Sequence, residues 1–326
     1  MTTTVESTLT PAANGAATTA SVKDFCFTDI PPVMDKLQWT QAARVMRKWI
    51  NGASYVMPDE VKVGQVKAST LSAEKILDDV PFEWLCTGST RVKPIIDQLD
   101  EQLKSAVDYN QLVGKLPNLL TQLSNGLLLL LKRLDRLGAV DLKNMSLKNA
   151  CFDFSDRSAV QLDELSQFNL RRVSTSLWER ATDELDDVYG ALGGFAIKLA
   201  ATKISTVVRQ GAQSSIHIDE IGMYLRDTYD FNNDNQGEDQ FLGYWNYDNV
   251  LSSKAATFAG VSVSAKTLYW IGGEYFRVTN NSYNEWREKC GKGGDFLIFS
   301  QVRKLPVKIE IHIGKTDLEE YVERVD

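Results

Sequence analysis

Apolar positions in the first 190 residues of the chain recur every three or four residues, which is the period of an amphipathic helix. The pattern predicts a helix from Met34 to Ile50 that ends at Asn51-Gly52, a second helix that begins at Pro94, and a third from near 117 to 137. A capping-box sequence predicts a fourth helix over 176–189. Because the leucine stripe of the third helix is shorter than three heptads, a core helix is favoured over a coiled-coil seam.

After Gly193-Gly194 the apolar positions alternate with polar or small ones, which is the pattern of β-strands. One short helix is predicted over 282–290, where Gly291 closes it. The predicted strands are Phe195–Leu199, Ile216–Leu225 with a bulge near Asp219, Phe241–Trp245, Tyr275–Val278, Phe296–Phe299 and Val307–Ile313. The sequence therefore predicts an α+β fold in which a helical N-terminal part packs with a mainly antiparallel, β-rich C-terminal part, arranged as a sheet or a partly closed barrel.

These patterns divide the chain into three parts. Residues 1–22 are rich in Thr, Ala and Ser and are interpreted as a disordered leader. A helical region over 23–190 and a β-rich region over 191–326 follow, and the β-rich region carries the candidate active site described below. A length of 326 residues with 43% hydrophobic residues is sufficient for a sizeable core.

The leader has neither the basic start nor the apolar stretch of a secretory signal peptide. The most apolar run is five leucines long, Leu127–Leu131, against the roughly 20 residues that a membrane-spanning helix needs. We therefore expect a cytoplasmic chain in the producing cell. If the protein leaves that cell, we expect delivery to a target-cell periplasm by a route that needs no cleaved signal.

The net charge of −7 and the lack of a long Lys/Arg run exclude the electrostatic footprint of a nucleic-acid-binding protein. The four cysteines form no C-x-x-C pair, so no zinc ribbon or thioredoxin-type motif is encoded, and buried thiols in a reducing compartment are expected. With only two histidines, His217 and His312, a His-rich metal site is not expected.

The segment Asp227-Thr-Tyr229-Asp230 contains the strongest candidate chemistry, because it follows a predicted strand and crowds carboxylate and phenolic oxygens together. The carboxylates of Asp227 and Asp230 can bind a hard cation such as Mg²⁺ or Ca²⁺. Alternatively, one of them acts as a base or nucleophile while the other forms hydrogen bonds. A third interpretation is an Asx-rich turn without chemistry, since Asp and Asn readily bond their own backbone.

A second candidate is the turn Lys292-Gly-Gly-Asp295, which follows the short predicted helix. A glycine-rich turn with a lysine can hold a phosphate or pyrophosphate group. The alternative is a helix C-cap followed by a turn into the next strand, and this is favoured because the order of a Walker loop is not present.

Most of the chain resembles an uncharacterised proteobacterial family that is known only as a domain of unknown function. The residues that carry the resemblance are Pro31-Pro-Val-Met34, Trp39, Ala42-Ala-Arg44, Met46-Arg-Lys-Trp49, Tyr229-Asp-Phe-Asn232, Leu242-Gly-Tyr-Trp245 and Lys292-Gly-Gly-Asp-Phe296. Members of that family are often encoded near type VI secretion components or polymorphic toxins. The resemblance implies a setting in interbacterial competition.

Locally, Asp227-Thr-Tyr229-Asp230 is similar to the Asp-x-Tyr-Asp motif of colicin M-type bacteriocins, which cleave the peptidoglycan precursor lipid II. Those proteins place His-Arg five residues later, where this chain has Gln236-Gly237. The likeness implies Asp227, Tyr229 and Asp230 as catalytic residues, with Asp227 and Asp230 as metal ligands. The missing imidazole and guanidinium then have to come from elsewhere, and the catalytic candidate is His312, with Arg226, Lys292 and Arg303 as substrate-binding candidates.

Two functions from different classes follow. The first is a toxin or effector that hydrolyses a phosphate or pyrophosphate bond in a membrane-linked cell-wall precursor. The second is a non-catalytic adaptor, chaperone or immunity protein that binds a secretion-system or toxin partner through the helical half.

Overall fold

The computed structural model describes residues 25–105, 123–144, 146–173, 185–209, 214–233, 239–258, 266–270 and 273–313. The α+β prediction is confirmed, because helices pack with a curled, half-barrel mixed sheet of seven strands. Within these ranges the α-helices are α1 (Ile30–Lys36), α2 (Thr40–Asn51), α3 (Asp59–Lys62), α4 (Trp84–Thr87), α5 (Val92–Ser105), α6 (Leu123–Arg136), α7 (Ala159–Leu165), α8 (Asp187–Leu192), α9 (Ser253–Phe258) and α10 (Asn280–Cys290).

The single helix predicted over 34–50 is two helices, α1 and α2, so that prediction is wrong in its first turns. Gln38 lies between them in a left-handed conformation with φ of 62°, which no α-helix accommodates. The predicted end is confirmed, because α2 ends at Asn51 and Gly52 caps it.

The other described helices lie where they were predicted, but their ends differ from the predicted ones. Helix α5 begins at Val92, two residues before Pro94. Helix α6 is the described part of the third predicted helix, and four of its leucines are buried in the protein core, as a core helix requires, namely Leu127, Leu130, Leu131 and Leu134. The start of the fourth predicted helix lies outside the described residues, and α8 continues through Gly190 to Leu192 instead of ending before it.

The described strands are numbered in chain order. They are β1 (Ile76–Val80), β2 (Val140–Asp141), β3 (Ser146–Leu147), β4 (Ala150–Asp153), β5 (Gln167–Val173), β6 (Phe195–Val207), β7 (Ser214–Tyr229), β8 (Phe241–Trp245), β9 (Val250–Leu251), β10 (Thr267–Trp270), β11 (Gly273–Thr279), β12 (Phe296–Ser300) and β13 (Arg303–Ile313). All six segments predicted as strands are confirmed, and so is the short helix that Gly291 closes with φ of 63°.

The seven-stranded sheet is organised around two long neighbouring strands, β6 and β7. Strand β6 pairs with β5 along its first half and with β4 along its second half. Strand β7 pairs with β13 along its first part and with β12 near its end. Register shifts on both sides of β7 near Glu220 mark the predicted bulge. All of these pairings are antiparallel except that of β1 with β12. Smaller sheets, β10-β11-β8-β9 and β2-β3, complete the described β-structure.

Three strands of the large sheet, β1, β4 and β5, precede residue 190, where the sequence indicated helices and loops. Strand β1 has the short sequence Ile-Leu-Asp-Asp-Val, whose two central carboxylates hide the strand pattern. The division into a helical region up to 190 and a β-rich region from 191 stays a prediction. Limited proteolysis tests it, since the division predicts early cleavage near 190–194 and a protected fragment that spans these residues contradicts it.

The expectation that the cysteine thiols are buried is wrong. Cys26, Cys151 and Cys290 are exposed, and Cys86 is partly buried. Cys151 lies at an exposed position of β4, and Cys290 is the last residue of α10. Among the described helices, none combines the length and the apolar character that crossing a membrane requires.

Candidate functional site

The acidic segment lies at the end of β7, as the sequence indicated. Asp227 and Tyr229 pair with Ile298 and Phe296 of β12, and Asp230 is the first residue after the strand. The hydrogen-bonded ladder therefore fixes the backbone of Asp227 and Tyr229, whereas Asp230 begins the loop that leads to β8.

Tyr229 is buried in an aromatic cluster and not presented to solvent. Its ring stacks on Phe296 with centroids 5.3 Å apart and meets Phe231 edge-on at 5.4 Å. Its hydroxyl donates to the sulfur of Met46 at 3.6 Å. Burial raises the pKa of Tyr229, and the neighbouring charge of Asp227 raises it further, so the phenol is protonated at every physiological pH.

Asp227 is partly buried beside this cluster. Burial raises the pKa of the Asp227 carboxyl well above its usual range, and the negative charge of Asp230 acts in the same direction. A hydrogen bond from the backbone of Thr228 and the charge of Arg226 oppose the shift without cancelling it. Asp227 therefore binds a proton more tightly than an ordinary aspartate does.

Asp230 is held by a lysine that the sequence analysis did not identify. The Nζ atom of Lys62, in the last position of α3, lies 3.0 Å from Asp230 Oδ2, and both side chains are mostly buried. The other carboxylate oxygen accepts a hydrogen bond from the backbone N–H of Asn232 at 3.3 Å. Asp230 thus has a fixed position at the end of the sheet.

A cavity of about 240 Å³ opens beside Asp230. Its polar lining includes Thr228, Asp230, Asn232, Gln240 and Asn280. Asn280, the first residue of α10, is 3% exposed, and its Nδ2 donates to the carbonyl of Asn232 at 2.9 Å. Among the described residues, the Nδ2 of Asn232 is buried without a hydrogen-bond partner. Such a group is costly to bury.

Two tryptophans line the same cavity. Trp39, which precedes α2, and Trp245, the last residue of β8, meet edge-to-face with centroids 6.4 Å apart. The indole N–H of Trp245 donates to the carbonyl of Leu242 at 3.2 Å, which fixes its orientation. Gly190 of α8 allows the close approach of Trp39, because a Cβ at that position would lie 3.1 Å from the indole ring.

The arginine candidates are engaged elsewhere. Arg226 precedes Asp227 on β7, and its guanidinium donates to the carbonyls of Val61 and Lys62 at 2.9 and 2.8 Å. Arg303 forms an ion pair with Asp100 at 2.7 Å. The structure therefore brings Arg226 near the acidic segment, where it holds the end of α3, and places Arg303 against α5.

His312 and Lys292 are also not joined to the acidic segment. His312 pairs with Ser215, twelve residues before Asp227 on β7, which corresponds to on the order of 40 Å along the strand. Its Nδ1 lies 3.8 Å from Glu310. Lys292 is exposed, and its backbone forms a bridge with Ala53 just after α2.

Of the seven candidate residues, the structure brings together the three that are contiguous in sequence, with Arg226 adjacent. Within the described parts of the chain, no group of three or more His, Cys, Asp and Glu residues is arranged to hold a metal ion. The catalytic and metal-binding roles of Asp227 and Asp230 stay predictions. The site residues that sequence reasoning missed are Lys62, Trp39, Gln240 and Asn280. Of these, Trp39 is one of the residues that carry the family resemblance, and this was the signal by which the sequence could have identified it.

Fold and site together define an α+β protein in which a small cavity with mixed aromatic and amide lining opens at the end of the longest described strand. The model of the family of unknown function DUF6402 matches residues 25–314, so the chain belongs to that family. No curated protein and no solved structure matches the chain.

Proposed function

We propose that the chain is a binding protein, and that the cavity beside Asp230 recognises an N-acetylated amino sugar or a ligand of the same chemistry. This proposal rests on one observation: two tryptophans, three amide side chains and one carboxylate line the same cavity. Indole surfaces take up the C–H faces of a sugar ring, while planar amides and carboxylates pair with hydroxyl and acetamido groups.

The size and polarity of the cavity support a small ligand. A volume of about 240 Å³ is below the roughly 300–1,000 Å³ of sites for drug-sized molecules, so it suits a single sugar unit. The amide of Gln240, which is partly exposed, supplies a donor, and Asp230, which is paired with Lys62, supplies an acceptor. Such polar groups favour ligands that satisfy them and disfavour purely apolar ones.

The proposal includes a biological setting. The resemblance to a family encoded near type VI secretion components and polymorphic toxins supports a role in interbacterial competition. In that setting, a protein that binds without catalysis acts as an adaptor, chaperone or immunity protein, and cell-wall glycans carry N-acetylated amino sugars. The placement of His312 and Arg303 away from Asp230 favours binding over the hydrolysis suggested by the colicin M-type motif.

Calorimetric titration with N-acetylglucosamine, a single sugar unit, tests the proposal. Wild-type protein should bind saturably, and the double variant Asn232→Ala/Gln240→Ala should bind at least about tenfold more weakly, since each lost hydrogen bond contributes about 0.5–1.5 kcal/mol. Gln65→Ala, which removes an exposed amide outside the cavity, should bind like wild type. Absence of saturable binding by the wild type contradicts this ligand class.

A second candidate function, hydrolysis of a phosphate or pyrophosphate bond by an effector, is favoured by one observation. Burial raises the pKa of the Asp227 carboxyl, so this group can hold a proton and deliver it as a general acid. Growth of a bacterial host that expresses the chain with and without an export signal separates the two candidates. Hydrolysis predicts arrest only with export, abolished by Asp227→Asn or Asp230→Asn but not by the exposed Asp156→Asn. Binding without catalysis predicts unchanged growth.

A further inference from the structure

A second cavity, of about 490 Å³, lies on the other side of α2 from the cavity beside Asp230. Three of its lining side chains are cations, namely Arg47 and Lys48 of α2 and Lys75 just before β1. One lining side chain, Glu74, is a carboxylate. The lining therefore has more cationic than anionic side chains, in a chain whose net charge is −7.

The two lysines are positioned by aromatic rings. The Nζ atom of Lys75 lies 3.8 Å from the centroid of the Tyr55 ring, and that of Lys48 lies 5.1 Å from the centroid of Phe296. Over the described ranges, neither ammonium group forms an ion pair with a carboxylate. An ammonium group on a ring face is attracted by the quadrupole of the ring but retains N–H donors for another partner.

The acidic groups nearby are already engaged. The carboxylate of Glu74 accepts a hydrogen bond from the Ser72 hydroxyl at 2.6 Å. Arg47 donates to Asp35 at 3.2 Å. Burial lowers the pKa of Lys48, the charges of Glu74 and Asp79 oppose this shift, and the charges of Lys75 and Arg44 add to it. Cations that repel one another across a cavity gain from an anion placed between them.

The remaining wall is the glycine-rich turn that the sequence analysis considered for phosphate binding. Gly293 has φ of 93°, and a Cβ there would lie 2.6 Å from the ring of Trp49. A Cβ on Gly294 would lie 2.6 Å from the carbonyl oxygen of Ala53. The turn is therefore packed closely against the end of α2. Gly294 lines the cavity, whereas the cationic side chains of the cavity come from other segments.

We propose that this second cavity binds the phosphate group of a small phosphorylated molecule, with Lys48 and Lys75 contacting the phosphate oxygens. Arg47 also lines the cavity, but its guanidinium is paired with Asp35, so the two lysines supply the phosphate contacts. The amide of Asn51, which also lines the cavity, faces the rest of the molecule. A cavity of this size exceeds what an inorganic ion fills and falls within the range of small-molecule sites.

Calorimetry with pyrophosphate and with glucose 6-phosphate, at about 0.15 M salt so that long-range attraction is screened, tests this proposal. The variant Lys48→Gln/Lys75→Gln should bind both probes at least tenfold more weakly than wild type. The control Lys93→Gln/Lys289→Gln removes the same charge from two exposed lysines paired with Asp97 and Glu285, and should bind within twofold of wild type.

Three outcomes overturn the proposal. These are no saturable binding of either probe by wild type, equal weakening in both double variants, and binding of glucose 6-phosphate that glucose displaces equally well. If the Lys48→Gln variant does not fold, the Lys75→Gln variant alone should still bind both probes at least tenfold more weakly than wild type. Lys75 is only partly buried, so this variant should fold. This site is independent of the cavity beside Asp230, so Asn232→Ala/Gln240→Ala should leave pyrophosphate binding unchanged.

Discussion

The indole Nε1 of Trp49 donates a hydrogen bond of 3.0 Å to Oδ1 of Asp295, although 246 residues separate them in the chain. The same carboxylate accepts from the guanidinium of Arg287 at 2.8 Å and from the backbone N–H of Met57 at 3.0 Å. Arg287 also lies over the Trp49 ring at 5.1 Å, and all three side chains are almost completely buried. This cluster joins α2 to α10 and to the turn before β12.

Removing the charge of Asp295 should be strongly destabilising, because it leaves the buried guanidinium of Arg287 without its counter-ion. We expect Asp295→Asn to lower the free energy of unfolding by about 3–5 kcal/mol. Trp49→Phe, which keeps a ring but loses the N–H, should lower it by at least about 1 kcal/mol. Urea unfolding measures both values. Asp248→Asn at an exposed ion pair is the control, and an Asp295→Asn variant as stable as that control contradicts the account.

A second stabilising contact is a helix cap supplied from a distant part of the chain. The N-cap residue of α2, Trp39, makes no side-chain cap. Instead, the buried carboxylate of Asp187 accepts from the N–H groups of Ala42 at 2.8 Å and Gln41 at 3.3 Å, and from the Trp84 indole at 2.7 Å. A negative charge at this end of α2 also interacts favourably with the helix dipole.

Asp187→Ala should therefore lower the free energy of unfolding by roughly 2 kcal/mol or more, since it removes a helix cap and leaves the indole N–H of Trp84 without its acceptor. Thermal or urea unfolding gives the value. The exposed Asp156→Ala provides the comparison. Equal stability of the two variants would show that the cap contributes nothing.

The raised pKa of Asp227 makes a prediction about pH. Because the folded state binds the Asp227 proton more tightly than the unfolded state, this residue reduces stability as pH rises above about 4, the pKa of an unfolded aspartate. Asp227→Asn should therefore match wild type near pH 4 and become progressively more stable relative to it, until the folded carboxyl has ionised. Urea unfolding between pH 4 and 8 measures this difference, and a difference that does not change with pH contradicts the assignment.

Local sequence patterns predicted the elements whose side chains alternate or recur clearly. Strands β6, β7 and β13 carry apolar alternation, β12 is a short continuous apolar run, and each was found at its predicted place. The α1–α2 break was missed because a left-handed residue such as Gln38 has no signature in apolar spacing. Strand β1 was missed because tertiary pairing with β12, and not its own composition, makes it a strand.

The candidate site was predictable only where its residues are contiguous. Asp227, Tyr229 and Asp230 share one strand end, so the sequence placed them together. The opposite wall of the cavity is built from segments up to about two hundred residues away in sequence, such as the one that contains Trp39. Local residue spacing does not indicate that such distant segments contact each other. The same reason explains why Asp295 was interpreted as part of a turn, when it is the partner of Trp49.

Binding of a sugar in the cavity beside Asp230 is tested most directly by NMR of the tryptophan indole N–H groups. The chain has seven tryptophans, and single Trp→Phe variants assign their signals. On addition of N-acetylglucosamine, we expect saturable shifts of Trp39 and Trp245, which line the cavity, and a smaller shift for Trp49, which does not line it and whose N–H is bound to Asp295. These shifts should vanish in Asn232→Ala/Gln240→Ala. Unchanged signals of Trp39 and Trp245 at saturating sugar, or equal shifts in that variant, contradict the account.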